Sequence, residues 1–275
     1  MGKGAPIRWV ENQFLRRHLR GRGVEIGALW RRAPIAAGAR VWYVDRLAAQ
    51  DVTQHYAEIG RPVPVDVVAD AARLPFGEES LDFIIASHVL EHLPFPLSAL
   101  QHWYQLLAMG GHLLLRIPDK RHTFDRRRER TRLEHLQAEE AQPENFDRRA
   151  HFQEWLEKVE GQAKGTAEFE SNLNALMAKD YSIHYHAWIT EDICQLLRFT
   201  REQWGVRWQR VIFLPARFYR KEIVVLLRKA PEVISPQRHR GTEAQRRTKA
   251  NRQFLGVQYR AASPSPQFFE PAETK

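Results

Sequence analysis

Residues 23–46 read GVEIGALWRRAPIAAGARVWYVDR. They hold two short apolar runs with the length and β-branched content of buried strands, one ending before Gly27 and the other at Asp45. Similar runs recur further along the chain, with longer amphipathic stretches between them. The predicted strands are 24–26, 41–45, 65–69, 81–87, 112–117, 210–214 and 222–227. This alternation predicts an α/β fold with a mostly parallel sheet of seven strands and helices on both faces.

Two segments depart from the alternation. Only residues 215–221 join the last two predicted strands, and parallel neighbours need a crossover of about a dozen residues or more. We therefore predict that the last strand is antiparallel. Residues 119–187 are charged, rich in histidine and placed after the fifth strand. Because open α/β sheets bind ligands beyond the carboxyl ends of their strands, we predict that this segment is an inserted helical lid.

Composition excludes several classes of protein. The chain has 275 residues and a single cysteine, Cys194, which excludes a disulfide scaffold. The length suits one large domain, which we place at 1–230. No run approaches the roughly 20 apolar residues of a membrane helix, and the first residues lack the apolar stretch of a signal peptide. We expect a cytoplasmic protein without a membrane span; the sequence does not indicate an oligomeric state.

The formal net charge of +9 is distributed unevenly. Residues 231–275 contain eight Lys or Arg against four Asp or Glu and are rich in Pro, Ser and Gln, which predicts a basic, disordered tail. Such a tail could contact nucleic acid non-specifically. A second basic run at 120–132 admits two interpretations, a phosphate-binding surface or a solvated helix face.

Three predicted strands end in residues that suit a nucleotide-like ligand. Gly27 follows the first strand, where the absence of a side chain lets a ligand approach the backbone. Asp45 ends the second strand about 20 residues later, where a carboxylate can receive two ribose hydroxyls. Asp70 follows the third strand. We expect the three to lie in one pocket, although Asp45 and Asp70 could instead cap the turns that follow them, and Gly27 could serve a tight turn.

Five segments, quoted in chain order, carry a family resemblance. EIGA (25–28), YVDR (43–46), DAARLPF (70–76), LDFIIASHVLEHL (81–93) and LAMGGHLLL (107–115) resemble the successive motifs of class I S-adenosylmethionine methyltransferases of the type 11 family. The resemblance implies a Rossmann-like fold, S-adenosylmethionine as the cofactor and methyltransferase activity. Residues 117–125, 134–136, 151–155 and 184–188 resemble a bacterial subfamily that often accompanies polysaccharide and glycosyltransferase genes.

The resemblance also implies the cofactor residues. These are Glu25, Gly27 and Ala28 at the methionine end, Asp45 on the ribose, Asp70 and Ala71 by the adenine, and Ser87 and His88 under the sulfonium; Arg46, next to Asp45, is also expected to bind the cofactor. The family's second and third glycines of the first motif are replaced by Leu29 and Arg31. Arg31 or Arg32 could then meet the cofactor carboxylate.

The stretch from His88 to His92 spells H-x-x-E-H, the inverted zinc-protease motif. That chemistry needs a long helix, whereas Pro94 and Pro96 leave little more than one turn here. Quinone-pathway O-methyltransferases carry a Glu-x-x-Glu-His sequence at this place that binds a divalent cation, and His88 replaces their first glutamate. We assign no metal ion, with a cation at this place as the alternative.

Methyl transfer to a hydroxyl requires a base, because a neutral alcohol is a poor nucleophile. The predicted catalytic residues are His88, His151 and His186. The predicted substrate-binding residues are Asp119, Lys120, Arg121, Trp155, His184 and Trp188. We predict O-methylation of a sugar or another small polar metabolite. The alternatives are a nucleic-acid methyltransferase and a non-catalytic module that uses the cofactor fold to bind a partner.

Overall fold

The computed structural model describes residues 5–55, 62–215 and 221–230. Seven strands form one sheet in the order β3-β2-β1-β4-β5-β7-β6. Their bounds are β1 (Arg22–Ile26), β2 (Arg40–Asp45), β3 (Val67–Val68), β4 (Leu81–Ser87), β5 (Leu107–Pro118), β6 (Trp208–Leu214) and β7 (Glu222–Lys229). Strands β1 to β5 pair in parallel, whereas β7 is antiparallel to both β5 and β6. The predicted Rossmann-like α/β fold with an antiparallel last strand is confirmed.

Helices cover both faces of the sheet. Helices α1 (Ala5–His18), α2 (Ala49–His55), α3 (Pro96–Leu106) and α7 (Thr190–Trp204) are interleaved with the strands. The larger core packs Leu100 and Trp103 of α3 and Leu196 of α7 against one face. Leu15 of α1 and Phe83 of β4 belong to the core of the opposite face. The alternation of buried side chains along the central strands thus gives each face its own core.

The segment 119–187 contains three helices, α4 (Leu133–Ala141), α5 (Arg148–Lys158) and α6 (Ala167–Ala178). Its two ends meet, because Asp119 forms a parallel bridge with Trp188 and the Lys120 amide donates to the Trp188 carbonyl at 2.9 Å. Phe152 of α5 and Phe169 of α6 are fully buried in a small core of their own. We call this inserted segment, residues 119–187, the lid.

No described helix is both long and apolar enough to cross a membrane. The predicted tail at 231–275 lies outside the described residues.

Candidate functional site

The parallel register brings three strand ends to one edge of the sheet. Ile26 pairs with Val44 on β2 and with Ala86 on β4, so the next residues, Gly27, Asp45 and Ser87, emerge side by side. Asp45 is also in register with Val68, the last residue of β3. Side chains that are far apart in sequence therefore share one crevice, where the strand-end pattern placed the ligand.

The turn after β1 has the conformation of a glycine loop. Gly27 has φ +62°, and its amide donates to the Val44 carbonyl at 2.8 Å. Leu29 stands where the family has a second glycine and adopts φ +48°, in the left-handed region that favours glycine. The replacement of that glycine therefore leaves the left-handed bend in place.

Glu25 holds the far end of the same loop. Its carboxylate is buried and accepts the Ala33 amide at 2.9 and 3.1 Å. Burial raises the pKa of Glu25 to about 7, against the opposing effects of the Ala33 hydrogen bond and of Arg32. Because its hydrogen bonds are to the loop backbone, Glu25 shapes the turn that lines the crevice.

Asp45 and Asp70 both accept hydrogen bonds from the turns that follow them. Asp45 Oδ1 accepts the Leu47 amide at 3.0 Å, and Asp70 Oδ1 accepts the Ala72 amide at 2.8 Å. The Ala71 carbonyl accepts the Trp103 indole N–H at 2.8 Å, which fixes this backbone against α3. One oxygen of each carboxylate therefore caps the turn that follows it, as the alternative interpretation predicts. Both residues also lie at the edge of the crevice.

Arg46 makes its bonds to the lid. Its guanidinium lies 2.5 Å from Asp180 Oδ2 and donates to the Asp180 carbonyl at 2.9 Å. Asp180 also binds Arg148 of α5. The sequence predicts Arg46 as a cofactor residue, whereas its described bonds connect the turn after β2 to the lid.

His88 is held between two carboxylates directly after β4. Its backbone is left-handed, with φ +54°, and its side chain is 45% exposed. Nε2 lies 3.0 Å from Glu222 Oε1 and Nδ1 lies 3.5 Å from Glu91 Oε1. Desolvation lowers the pKa of His88, but the two carboxylates outweigh it and raise the pKa to about 10. A charged imidazole cannot accept a proton, so this environment does not suit the expected role of His88 as a base.

The basic run at 120–132 is solvated only in part, because Arg126, Arg127 and Arg132 are exposed whereas other arginines of the run pair with carboxylates. Arg121 forms a bidentate pair with the fully buried Asp119, at 2.8 and 2.6 Å. Arg130 binds Asp192 of α7 at 2.5 Å. Arg128 is itself buried and contacts Asp125 at 3.1 Å. Arg121 and Arg128 thus pair with carboxylates within the lid, and Arg130 connects the lid to α7.

Two further expected substrate residues are buried. Trp155 is 8% exposed in the core of the lid, and Trp188 is 1% exposed and stacks on His186. Neither indole presents an open face for a sugar ring in this structure. Lys120 donates to the Arg126 carbonyl at 3.3 Å.

The lid brings the predicted bases His151 and His186 together, with ring centroids 5.9 Å apart. Glu139 of α4 joins them, because its Oε1 lies 2.7 Å from His151 Nε2 and 3.0 Å from His135 Nε2. Burial raises the pKa of Glu139, but the two histidines outweigh it and lower the pKa to about 2. Burial lowers the pKa of His186 to about 3. Glu139 was not predicted, although its i, i+4 spacing from His135 is a signal for such a pair.

The lid is bonded to the turn that follows β4. The amides of Tyr185 and His186 donate to the Glu91 carbonyl at 2.8 and 3.2 Å. His186 Nε2 lies 3.2 Å from the Pro94 carbonyl. The histidine group of the lid is therefore anchored beside the same strand end as Ser87 and His88.

A family model described as "Methyltransferase domain" matches residues 7–160, which is more than half of the 275 residues. The chain belongs to the methyltransferase domain family. Its cofactor is S-adenosylmethionine. The methyltransferase has no match among curated proteins.

Solved structures with similar chains include three methyltransferases. The 1,6-didemethyltoxoflavin-N1-methyltransferase of Burkholderia thailandensis is 15% identical, with a TM-score of 0.44 over 83% of this chain and 80% of that one. An S-adenosylmethionine-dependent methyltransferase of Methanosarcina mazei is 15% identical, with a TM-score of 0.43 over 81% and 98%. One from Aquifex aeolicus is 12% identical, with a TM-score of 0.42 over 82% and 90%. The family assignment rests on the family model, because these likenesses are too distant to carry it.

The residues at the crevice fit the cofactor of this methyltransferase. Gly27 has left-handed backbone and places no side chain at the end of β1. Asp45 supplies a carboxylate at the end of β2, beside a narrow cleft whose walls include Leu29, Val52 and Val63. A polar acceptor for hydroxyls next to an apolar wall is the chemistry that an adenosyl group requires.

Proposed function

We propose that this methyltransferase transfers the methyl group of S-adenosylmethionine to a hydroxyl of a sugar or of another small polar metabolite. The half-buried pair in the lid formed by His151 Nε2 and Glu139 Oε1, 2.7 Å apart, is the observation that carries the proposal. A hydroxyl acceptor must lose its proton during transfer, and an imidazole oriented by a carboxylate suits that task. The resemblance to a subfamily found with glycosyltransferase genes supports a carbohydrate acceptor.

The cofactor supplies an activated methyl group on its sulfonium. The chain's own residues then have three tasks, which are to hold the cofactor at Gly27 and Asp45, to exclude water with the lid, and to receive the proton. Because His151 Nε2 faces Glu139, its Nδ1 carries the lone pair that accepts a proton. Glu139 stabilises the imidazolium that results. Alignment of the acceptor under the lid supplies the remaining rate enhancement.

His186 is the second candidate base in the same group. Its Nε2 faces the Pro94 carbonyl, so Nε2 carries the hydrogen and Nδ1 has the lone pair. Nδ1 is buried and has no hydrogen-bond partner among the described residues. A low pKa keeps His186 neutral at physiological pH, but it also makes the imidazole a weak base. We therefore assign proton removal to His151 and a polar contact with the acceptor to His186.

The proposal is tested by incubating the protein with radiolabelled S-adenosylmethionine and fractionated metabolites of its host. We expect the label in a hydroxylated fraction. The label should stay bound after alkaline treatment, because a methyl ether is stable to alkali. His151→Ala is expected to slow turnover by about 10²–10⁴-fold with little change in cofactor affinity measured by calorimetry. His122→Ala, an exposed histidine of the same lid, is the matched control. Label on nitrogen or carbon, or unchanged turnover in His151→Ala, contradicts the proposal.

Cofactor binding is tested separately with Asp45→Ala. Loss of the carboxylate is expected to weaken S-adenosylmethionine binding by about 1.5–3 kcal/mol, the usual contribution of hydrogen bonds to a charged group. Calorimetry of the full chain gives the affinity directly. Unchanged affinity in Asp45→Ala would remove this residue from the cofactor site.

A further inference from the structure

Three side chains that could coordinate a metal ion meet where the lid contacts the turn after β4. Glu91 and His92 belong to the short 3₁₀ helix Leu90–His92, and His184 lies near the end of the lid. One ligand atom from each lies within 4.8 Å of the other two. His184 Nε2 is 3.9 Å from Glu91 Oε1, and the rings of His92 and His184 are edge to face at 4.6 Å.

The hydrogen bonds around this group define which imidazole nitrogens carry hydrogen. His184 Nδ1 lies 2.7 Å from Asp125 Oδ2, and His92 Nδ1 lies 2.8 Å from the Ile183 carbonyl oxygen. Both oxygens only accept, so each Nδ1 is assigned the hydrogen. With Nδ1 protonated in a neutral ring, each Nε2 keeps a lone pair.

Glu91 contributes a buried carboxylate to this group. Its side chain is 0% exposed, and neither carboxylate oxygen has a hydrogen-bond partner among the described residues. The nearest cationic nitrogen is His88 Nδ1 at 3.5 Å, and His88 also pairs with Glu222 on its other side. A buried carboxylate whose one cationic neighbour is 3.5 Å away is costly, since burial removes its hydration. The Nε2 atoms of His92 and His184 beside it carry lone pairs, so they cannot donate a hydrogen bond to this carboxylate.

We propose that Glu91, His92 and His184 bind a divalent transition-metal ion of the zinc type. Two imidazoles with one carboxylate are a ligand set that suits zinc, cobalt or iron, whereas magnesium and calcium prefer oxygen ligands. Tetrahedral bonds of about 2.1 Å place two ligand atoms about 3.4 Å apart. The 3.9 Å separation between His184 and Glu91 exceeds this by about 0.5 Å. Since no pair is more than 4.8 Å apart, each pair reaches the tetrahedral separation by closing at most about 1.4 Å.

The neighbours of the three ligands have the arrangement that metal sites require. Ligating histidines usually donate their second nitrogen to a carboxylate or to a backbone carbonyl, which orients the ring. Asp125 does this for His184, and the Ile183 carbonyl does it for His92. Arg128 holds Asp125 in turn, through a contact of 3.1 Å. This site has a different set of ligands from the sequence alternative, because His184 comes from the lid and His88 is not a ligand.

Three protein ligands leave a coordination position open, as in catalytic zinc sites. An oxygen of the acceptor would complete the coordination there. This last role rests on the proposed function, whereas the ion binding does not.

The test measures metal binding by the full chain, without any methyl donor. Protein stripped with a chelator is dialysed against Zn²⁺ and, separately, against Co²⁺, whose visible absorption reports its ligand geometry. We expect one ion per chain. His184→Ala and Glu91→Gln are each expected to weaken binding at least 100-fold, and Asp125→Asn about 10- to 100-fold. Absence of a stoichiometric ion in the unmodified protein, or full affinity in both ligand variants, overturns the proposal.

Two controls locate the ion. His122→Ala removes an exposed lid histidine and is expected to leave the affinity unchanged. His135→Ala tests the other group that could hold an ion, formed by His135, Glu139 and His151. Loss of the ion in His135→Ala and not in His184→Ala would overturn the assignment. Circular dichroism verifies folding, and if His184→Ala does not fold, unchanged affinity in Asp125→Asn decides against the site. Methyl-donor calorimetry on the same samples keeps failure of the metal site distinct from failure of the methyltransferase proposal.

Discussion

At the scale of single residues, His88 shows how a histidine can leave its usual titration range. It stands between Glu91 and Glu222, and their carboxylates raise its pKa to about 10 although desolvation acts in the opposite direction. We expect Glu222→Gln to lower this pKa by about 1 to 3 pH units, the usual effect of an adjacent opposite charge. The titration of the His88 ring is followed by NMR. Glu78→Gln, an exposed carboxylate, is the control and should leave the His88 titration unchanged.

The same group links stability to pH with a defined sign. Because the folded pKa lies above the ordinary value of 6.5, the contribution is fully present below about pH 6.5 and is lost as pH rises through about 10. The Tm of the unmodified protein should therefore fall more between pH 7 and about 10.5 than that of Glu222→Gln. Equal falls in the two proteins would show that the pair contributes nothing to folding.

Residues at the strand ends were predictable, whereas the partners in the lid were not. Gly27, Asp45 and Ser87 follow apolar runs, and parallel pairing alone brings such positions to one edge. Asp125 and His184 are 59 residues apart, and Arg128 is 56 residues from the His184 carbonyl that it binds. No local pattern connects residues at such separations. The sequence therefore indicates a surface for the basic run at 120–132, although Arg128 within it is buried.

At the scale of elements, the strands were predicted best where the sheet buries them on both faces. The predicted strand 81–87 coincides with β4, whose core residues Phe83, Ile84 and Ile85 are fully buried. The predicted strand 65–69 is reduced to β3, Val67–Val68, because it lies at the edge and pairs on one side only. Edge strands are often kept short, since an unpaired edge invites aggregation.

The lid depends on one buried arginine more than on its surface pairs. Arg128 bonds Asp125, Glu154 at 2.8 Å, and the carbonyls of His184 and Tyr185 at 2.6 and 3.0 Å. Arg128→Met leaves two carboxylates without their cation, which destabilises by about 3–5 kcal/mol. We expect hydrogen exchange to accelerate in α5 and at 183–187, with the sheet still protected.

The matched control for this lid variant is Arg127→Met. Arg127 precedes Arg128 and is exposed, so its removal changes the net charge equally and should leave exchange in the lid as it was. Equal acceleration in the two variants would assign the effect to charge, not to the buried contacts. Acceleration throughout the sheet would show that the lid and the sheet open as a single unit.

At the scale of the whole molecule, nucleic acid could be attracted by the arginines of residues 231–275 or by the net positive charge of the chain. Four arginines, Arg238, Arg240, Arg246 and Arg247, are concentrated near the start of the sequence 231–275. Binding to nucleic acid through such residues releases counterions, so the affinity falls linearly with salt on logarithmic axes. Each contact to duplex DNA contributes about 0.9 to that slope. We expect glutamine at all four positions to reduce the slope and to leave methyl transfer unchanged, because the family match and the crevice lie before residue 231.

A control of equal charge separates the tail from the net charge. Glutamine at Arg126, Arg127, Arg198 and Arg201 removes the same four charges from exposed positions of the domain. If net charge alone attracts nucleic acid, both sets will reduce the slope equally, because long-range attraction depends on the total. If contacts made by the tail dominate, only the first set will reduce it. If only glutamine at Arg126, Arg127, Arg198 and Arg201 reduces the slope, the nucleic acid contacts the domain. That result would favour a nucleic acid as the methyl acceptor.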